Sequence, residues 1–318
     1  MKILVAGGAG SIGSYLCESL LRRGDSVIVL DNLSTGRFEN ISKIRNYYPD
    51  KFTFIEHDVT ERLPSNRLEK CDAVVDLASP ASPDDFANLS LEILEVGSTG
   101  TRNLLDLATE NKARFLLGST SEVYGDPNEH PQKETYFGNV DPIGPRSCYD
   151  EAKRFSEALT FAYHRRHGTN TAVIRIFNTY SPRMRFNDGR VVTNFAVQAI
   201  LNQPITLYGT GEQTRSFCYV TDLVTGLIKV LDSKITGPIN IGNPDEKSVR
   251  FLAETIKNIT NSKSEIITVK LPEERGGDPQ RRCPDISKIT KHFQWQPLVP
   301  LAVGLPFLIK SFEARLKG

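Results

Sequence analysis

No run of roughly 18 apolar residues, the length that crosses a bilayer, occurs in the 318-residue chain, so no membrane partner is expected. Nor is there a surplus of either charge. Lys and Arg number 39 against 38 Asp and Glu, a formal net charge of +1, which leaves no field to draw in nucleic acid. The basic pairs Arg165-Arg166 and Arg281-Arg282 read as solvated faces. Cysteine is sparse: Cys17, Cys71, Cys148, Cys218 and Cys283 are widely spaced and include no C-x-x-C pair. That argues against a disulfide framework and a zinc site, so reduced thiols and no metal are expected. The apolar start Ile3-Leu4-Val5-Ala6 is too short for a signal-peptide core, and a cytoplasmic protein is expected. No internal repeat or low-complexity tract is present.

What is present is alternation. Short apolar runs at 3–6, 26–30, 52–55, 73–77, 114–117 and 172–177 read as strands. Helical spacing fills 15–23, closed by Gly24, and recurs at 99–109 and 151–166. Strand and helix in alternation favour an α/β fold with a parallel sheet covered on both faces. After about residue 180 the texture breaks up around Pro182, Asn187-Asp188-Gly189, Pro204, Gly209 and Gly211. Residues 238–242 read as one more strand returning to the sheet.

Gly7, Gly10 and Gly13 form G-x-x-G-x-x-G between the first strand and the first helix, enclosing Ser11 and Ile12. Such glycines let the chain turn tightly and bring a pyrophosphate against free N–H groups at the helix start. Strand, loop, helix and second strand follow in the required order. Asp31 ends the second strand 18 residues after Gly13, where a carboxylate accepts hydrogen bonds from ribose hydroxyls and repels a 2′-phosphate. NAD is therefore expected over NADP, with Asn32 beside Asp31 and Asp58-Val59 as adenine-side contacts, although Arg37 tempers that choice. The expected fold is a Rossmann-type doubly wound parallel sheet with a smaller C-terminal α/β substrate-binding lobe. Residues 1–179, with a returning segment at about 217–243, would bind NAD, and 180–216 with 244–318 would form the lobe.

Tyr149 and Lys153 form Tyr-x-x-x-Lys, a spacing that sets both side chains on one helix face. An ammonium near a phenol favours the phenolate, so Tyr149 is expected to have a lowered pKa and act as base toward a hydroxyl. Ser119-Thr120-Ser121-Glu122 closes the strand at 114–117, and the loop 142–148 precedes the helix, so three features converge on one sheet edge. Cys148 has no histidine partner that would make it a nucleophile.

On these residues the chain resembles the extended short-chain dehydrogenase/reductases and, within them, the UDP-glucuronate decarboxylase (UDP-xylose synthase) family, from residue 1 to about 312. The selective segments are Leu77-Ala78-Ser79-Pro80-Ala81-Ser82-Pro83, Thr120-Ser121-Glu122, Gly144-Pro145-Arg146 and Asn187-Asp188-Gly189-Arg190-Val191-Val192. Gln213-Thr214-Arg215-Ser216-Phe217 and Asp278-Pro279-Gln280-Arg281-Arg282 complete the match.

The resemblance implies that Tyr149 takes the sugar 4-hydroxyl proton while Thr120 aligns that oxygen. It implies acid/base and carboxylate handling by Glu122, and a substrate-carboxylate contact for Arg282. Leu77 and Ala78 would join the cofactor site, and Ser79, Pro80, Ser121 and Val192 the substrate site. Arg215 is the first choice for the diphosphate, with Asn178, Arg190 and Tyr208 lining the nucleotide pocket; Arg282 is an alternative diphosphate ligand. A UDP-sugar partner and a homodimer pairing the helices near 99–109 and 151–166 are also implied. Departures from the family pattern are Ser11, Asp76, Phe137, Ser181 and a slightly expanded Glu274-Arg275-Gly276-Gly277. The rival readings are a UDP-glucuronate 4-epimerase, a 4,6-dehydratase and an inert NAD-binding regulator.

Overall fold

A computed structural model describes residues 1–64, 67–68, 70–272 and 276–317. The expanded stretch at Glu274-Arg275 therefore lies outside the described residues. β1 (Lys2–Ala6) is buried from Ile3 onward, as a strand covered on both faces must be. α1 (Ser11–Arg23) follows it and ends at Gly24, whose φ of 104° suits a glycine C-cap. β2 (Ser26–Asp31) pairs parallel with β1, setting Ile3 opposite Val27, and β3 (Phe52–Glu56) pairs beyond it after α2 (Glu39–Tyr47). On the other side of β1 lie β4 (Ala73–Asp76), β5 (Arg114–Thr120), β6 (Thr171–Ile176) and the returning strand Ile239–Ile241, all parallel. These make seven strands in one sheet among the described residues.

Between β4 and β5 the chain forms α3 (Pro83–Asn88), α4 (Ser90–Glu95), a π-helical turn Val96–Gly100 and α5 (Thr101–Asn111). The π turn explains why the expected helix at 99–109 starts two residues late. It carries Gly97 against the next long helix, α6 (Ser147–His167), where a Cβ would fall 2.8 Å from that of Ala152. α6 begins at Ser147 rather than near 151, so Tyr149 and Asp150 lie within its first turn. β5 runs on to Thr120, past the expected 117, and passes directly into a 3-10 turn, Ser121–Tyr124.

Alternation along β1 sends Ile3 and Val5 to one apolar cluster and Leu4 and Ala6 to the other. The first cluster joins Leu16 and Leu20 of α1 to Leu223 and Leu227 of the helix Val220–Leu231. It continues to Leu305 and Phe312 of the last helix, Leu301–Lys317. The second packs Leu104, Leu105 and Ala108 of α5 on Phe115 and Leu117. Each fully buried aliphatic or Phe side chain stabilises by about 1.5–3 kcal/mol. Beyond residue 180 the strands are short. Ile205–Tyr208 pairs with Ile266–Val269, and Thr214–Ser216 lies between Glu246–Ser248 and Arg281–Arg282.

Candidate active site

The sheet order reverses between β1 and β4, and crevices at such a switch point accept ligands at the strands' carboxyl ends. A cavity of about 470 Å³ opens there, walled by the glycine loop, the ends of β4 and β5, α6 and the segments after 176. Gly7 has φ +74°, and a Cβ on it would sit 2.6 Å from the Leu77 carbonyl oxygen; one on Gly13 would sit 2.2 Å from that of Gly7. Gly10 caps α1 with no side-chain hydrogen bond, and no acidic residue occupies the first turn. The helix start therefore keeps N–H groups for an anion, an arrangement that fits a dinucleotide pyrophosphate.

Gly7, Gly10, Ser11, Ile12, Gly13 and Leu77 line the cavity. Asp31, Asn32, Asp58, Val59 and Ala78 stand off its wall. Asp31 accepts N–H bonds from Ala9 and Leu33, both at 2.9 Å, and burial pushes its carboxyl up. Asn32 donates to Asp58 at 2.7 Å, and Val59 is buried in the apolar cluster under α5.

Tyr149, Lys153, Thr120, Ser121 and Glu122 come together on the cavity wall. Contrary to the sequence expectation, burial pushes the Tyr149 phenol up to about 12, against a hydrogen bond to Thr120 and the charge of Arg190. Lys153 donates to the Gly118 carbonyl at 3.1 Å, and burial lowers its pKa while the buried carboxylates Asp76 and Glu157 oppose that. The cation that favours the phenolate here is thus Arg190, which also donates to Ala81 O at 2.6 Å and Asp188 at 2.7 Å. Phe86 stacks on the Tyr149 ring at 5.1 Å and shields it from water.

Glu122 accepts from Arg146 at 2.6 Å and from Arg282 at 3.0 Å. Burial raises its carboxyl, but Arg282, Arg146 and Arg215 outweigh that and hold it at about 2. Arg146 lines the cavity, whereas Arg282 is 1% exposed, lies off the wall and donates to the Ser121 carbonyl at 2.9 Å. Of the two arginines bonded to Glu122, Arg282 thus reaches it from off the wall and Arg146 is the one that lines the cavity, a residue of the Gly144-Pro145-Arg146 motif to which the sequence assigned no role. Its signal was position, three residues before Tyr149 and so near it across one helical turn.

Ser79, Asn178, Arg190, Val192, Tyr208 and Arg215 also line the cavity, while Pro80 does not and its neighbour Ala81 does. Asn178 Oδ1 is buried with no protein partner, as an atom reserved for a ligand would be. Arg215 donates to Thr214 O at 2.8 Å and to Asp278 at 2.7 Å. Ser11 and Ser181, both departures from the family pattern, share a hydrogen bond of 2.6 Å between the glycine loop and the segment after β6. Elsewhere His130, Glu246 and Cys283 gather within 4.8 Å. There Glu246 bonds His130 and Thr214, and the Cys283 thiol donates to Pro244 O.

A glycine-loop Rossmann sheet with Tyr149, Lys153 and Thr120 at its switch point defines an extended short-chain dehydrogenase/reductase. The family model of GDP-mannose 4,6 dehydratase matches residues 4–306. UDP-glucuronic acid decarboxylase 3 of Arabidopsis thaliana is 49% identical over 317 residues, covering 99% of this chain and 90% of the relative. UDP-glucuronic acid decarboxylase 1 of Xenopus tropicalis is 46% identical over 316 residues, 99% of this chain and 73% of the relative. Among solved structures, UDP-glucose 4-epimerase of Thermotoga maritima with UDP-glucose superposes with a TM-score of 0.90 at 28% identity, covering 99% and 100% of the two chains. UDP-glucuronic acid 4-epimerase of Bacillus cereus, in complex with UDP-glucuronic acid and NAD, gives 0.88 at 28% with the same coverage. The chain belongs to the UDP-glucuronic acid decarboxylase family.

Proposed function

We propose that the chain decarboxylates UDP-glucuronate to UDP-xylose through a 4-keto sugar. The observation that carries this is the Glu122–Arg146 pair on the cavity wall beside Tyr149 and Thr120, a fixed cation where a sugar carboxylate would lie. Thr120 holds the 4-hydroxyl oxygen while Tyr149 accepts its proton. NAD, held by the glycine loop, would supply the hydride acceptor for C4 and return that hydride. With a ketone at C4 the sugar acid is a β-keto acid, so the bond from C5 to the carboxylate breaks and its electron pair enters an enolate. Arg146 orients the departing carboxylate, Glu122 fixes Arg146, and Arg282 fixes Glu122. A proton added at C5 and reduction at C4 complete UDP-xylose.

The glycine loop with Ser11 and Ile12 would take the pyrophosphate and Asp31 the adenosine ribose. Asn32, Asp58 and Val59 would form the adenine side, with Leu77 and Ala78 on the remaining cofactor contacts. Arg215 would take the substrate diphosphate, with Asn178, Arg190, Val192 and Tyr208 along the nucleotide, and Ser79, Pro80 and Ser121 along the sugar. The division into a segment 1–179 for NAD and a later lobe for the UDP-sugar is part of this reading.

A homodimer is supported by exposed Leu91 and Leu94 on α4 and Phe155 on α6. No helix among the described residues is long and apolar enough to cross a membrane, in keeping with the proposed cytoplasmic site. A second reading, 4-epimerisation of UDP-glucuronate, is favoured by the Bacillus cereus structure at TM-score 0.88. UDP-glucuronate labelled in its carboxyl carbon separates the two: label leaving as carbon dioxide supports decarboxylation, and label retained in a turned-over sugar overturns it.

A further inference from the structure

One buried and one partly buried carboxyl group face the Arg146 guanidinium, and they are held very differently. Glu122 takes direct hydrogen bonds from Arg146 and Arg282. Asp150, in the first turn of α6 and 5% exposed, has one oxygen 4.0 Å from Arg146 Nε and the other without any hydrogen-bond partner. A separation of 4.0 Å lies outside hydrogen-bond range. The charges acting on Asp150 are Glu122 from the turn after β5, Arg146 just before α6, Arg282 from the strand Arg281–Arg282, and Glu151 on α6 itself. Arg215 and Asp278 complete the cluster around Glu122 and Arg146. Asp150 is the loosely held member. Burial and the charge of Glu122 raise it to about 7, against the pull of the two arginines.

A uronate sugar would bring a further carboxylate to Arg146, in a cluster where Glu122 and Asp150 already feel Arg146 and Arg282, and each added like charge raises the cost of keeping all of them ionised. We propose, resting on the decarboxylase reading, that Asp150 takes up a proton as the sugar carboxylate enters the Arg146–Glu122 subsite, so that recognition of the acidic sugar is proton-coupled. Neutral Asp150 leaves Arg146 to Glu122 and the substrate. The stoichiometry suits the reaction. When the bond from C5 to the carboxylate breaks, its electron pair passes through the enolate into a new C5–H bond, which consumes one proton. Binding draws one proton from solvent in advance of that need. A nucleotide sugar without the carboxylate has no reason to draw one.

Calorimetric titration of the Tyr149→Phe holoenzyme, which binds without turnover, in buffers of different ionisation enthalpy measures this uptake. At about pH 8 the expected uptake approaches one proton for UDP-glucuronate and is near zero for UDP-xylose. It shrinks toward about pH 6, where Asp150 is already protonated before the sugar arrives. Asp150→Asn in the same background should bind UDP-glucuronate with the uptake gone. Equal uptake for the two nucleotides, uptake that grows toward acid pH, or uptake that persists in Asp150→Asn overturns the proposal. If Asp150→Asn does not fold, the ligand comparison and the pH trend decide it. UDP-xylose binding while UDP-glucuronate does not would instead remove the substrate reading and the proposal with it, an outcome distinct from binding without uptake.

Discussion

Arg282→Met separates a bracing role from a substrate contact. Arg282 is 1% exposed, and its two terminal nitrogens donate to Ser121 O and Glu122. Removing one member of a buried ion pair costs about 3–5 kcal/mol, because the survivor is left uncompensated. Glu122 keeps Arg146 at 2.6 Å, which places the cost at the low end, about 3 kcal/mol. At roughly 2 °C per kcal/mol for a large chain, the melting point should drop by about 6 °C. Arg146→Met removes the closer partner of Glu122, so it should cost comparable stability and carboxylate recognition as well. Loss of a charge-assisted contact of about 1.5–3 kcal/mol predicts a rise in KM for UDP-glucuronate of roughly 10- to 150-fold, with UDP affinity little changed. Thermal unfolding of the holoenzyme with KM for UDP-glucuronate and inhibition by UDP reads both. An Arg282→Met enzyme that melts like wild type yet loses carboxylate recognition would refute the bracing role.

Three further outcomes follow from the geometry. Tyr149→Phe should lower kcat by at least about 10²-fold while NAD stays bound, since only the ionisable oxygen is lost; a near-wild-type rate removes Tyr149 from the chemistry. Asp76→Asn takes away a carboxylate that raises the pKa of Lys153, already lowered by burial. Lys153 should then lose its proton at lower pH, moving the alkaline limb of the kcat profile downward, and an unmoved limb contradicts the coupling. Asp31→Ala should weaken NAD relative to NADP in equilibrium binding, and an unchanged preference removes Asp31 from the ribose site.

Local features were legible and convergent ones were not. The glycine loop, Gly24 and the returning strand at 239–241 follow from residues adjacent in sequence, where glycine and apolar runs speak directly. The π turn at Val96–Gly100 was hidden: it carries Gly97 against Ala152 on α6, a tertiary contact that the local pattern does not register. At the site, Tyr149, Lys153, Thr120 and Glu122 were legible as motifs. The bond from Arg282 to Glu122 was not legible because it spans 160 residues, and no spacing rule says whether a guanidinium faces the cavity or the back of a carboxylate. The same holds for Arg190, whose charge reaches Tyr149 from another element. The lowered Tyr149 pKa expected from Lys153 failed for a different reason: spacing registers the lysine's face but not the burial of the phenol, which is the larger influence.

The most direct test is proton NMR of the purified protein turning over UDP-glucuronate with NAD. The account predicts UDP-xylose, with the C5 methylene signals that replace the uronate's single C5 proton and carbon dioxide released in equal amount. UDP-galacturonate formed with every carbon retained would contradict it.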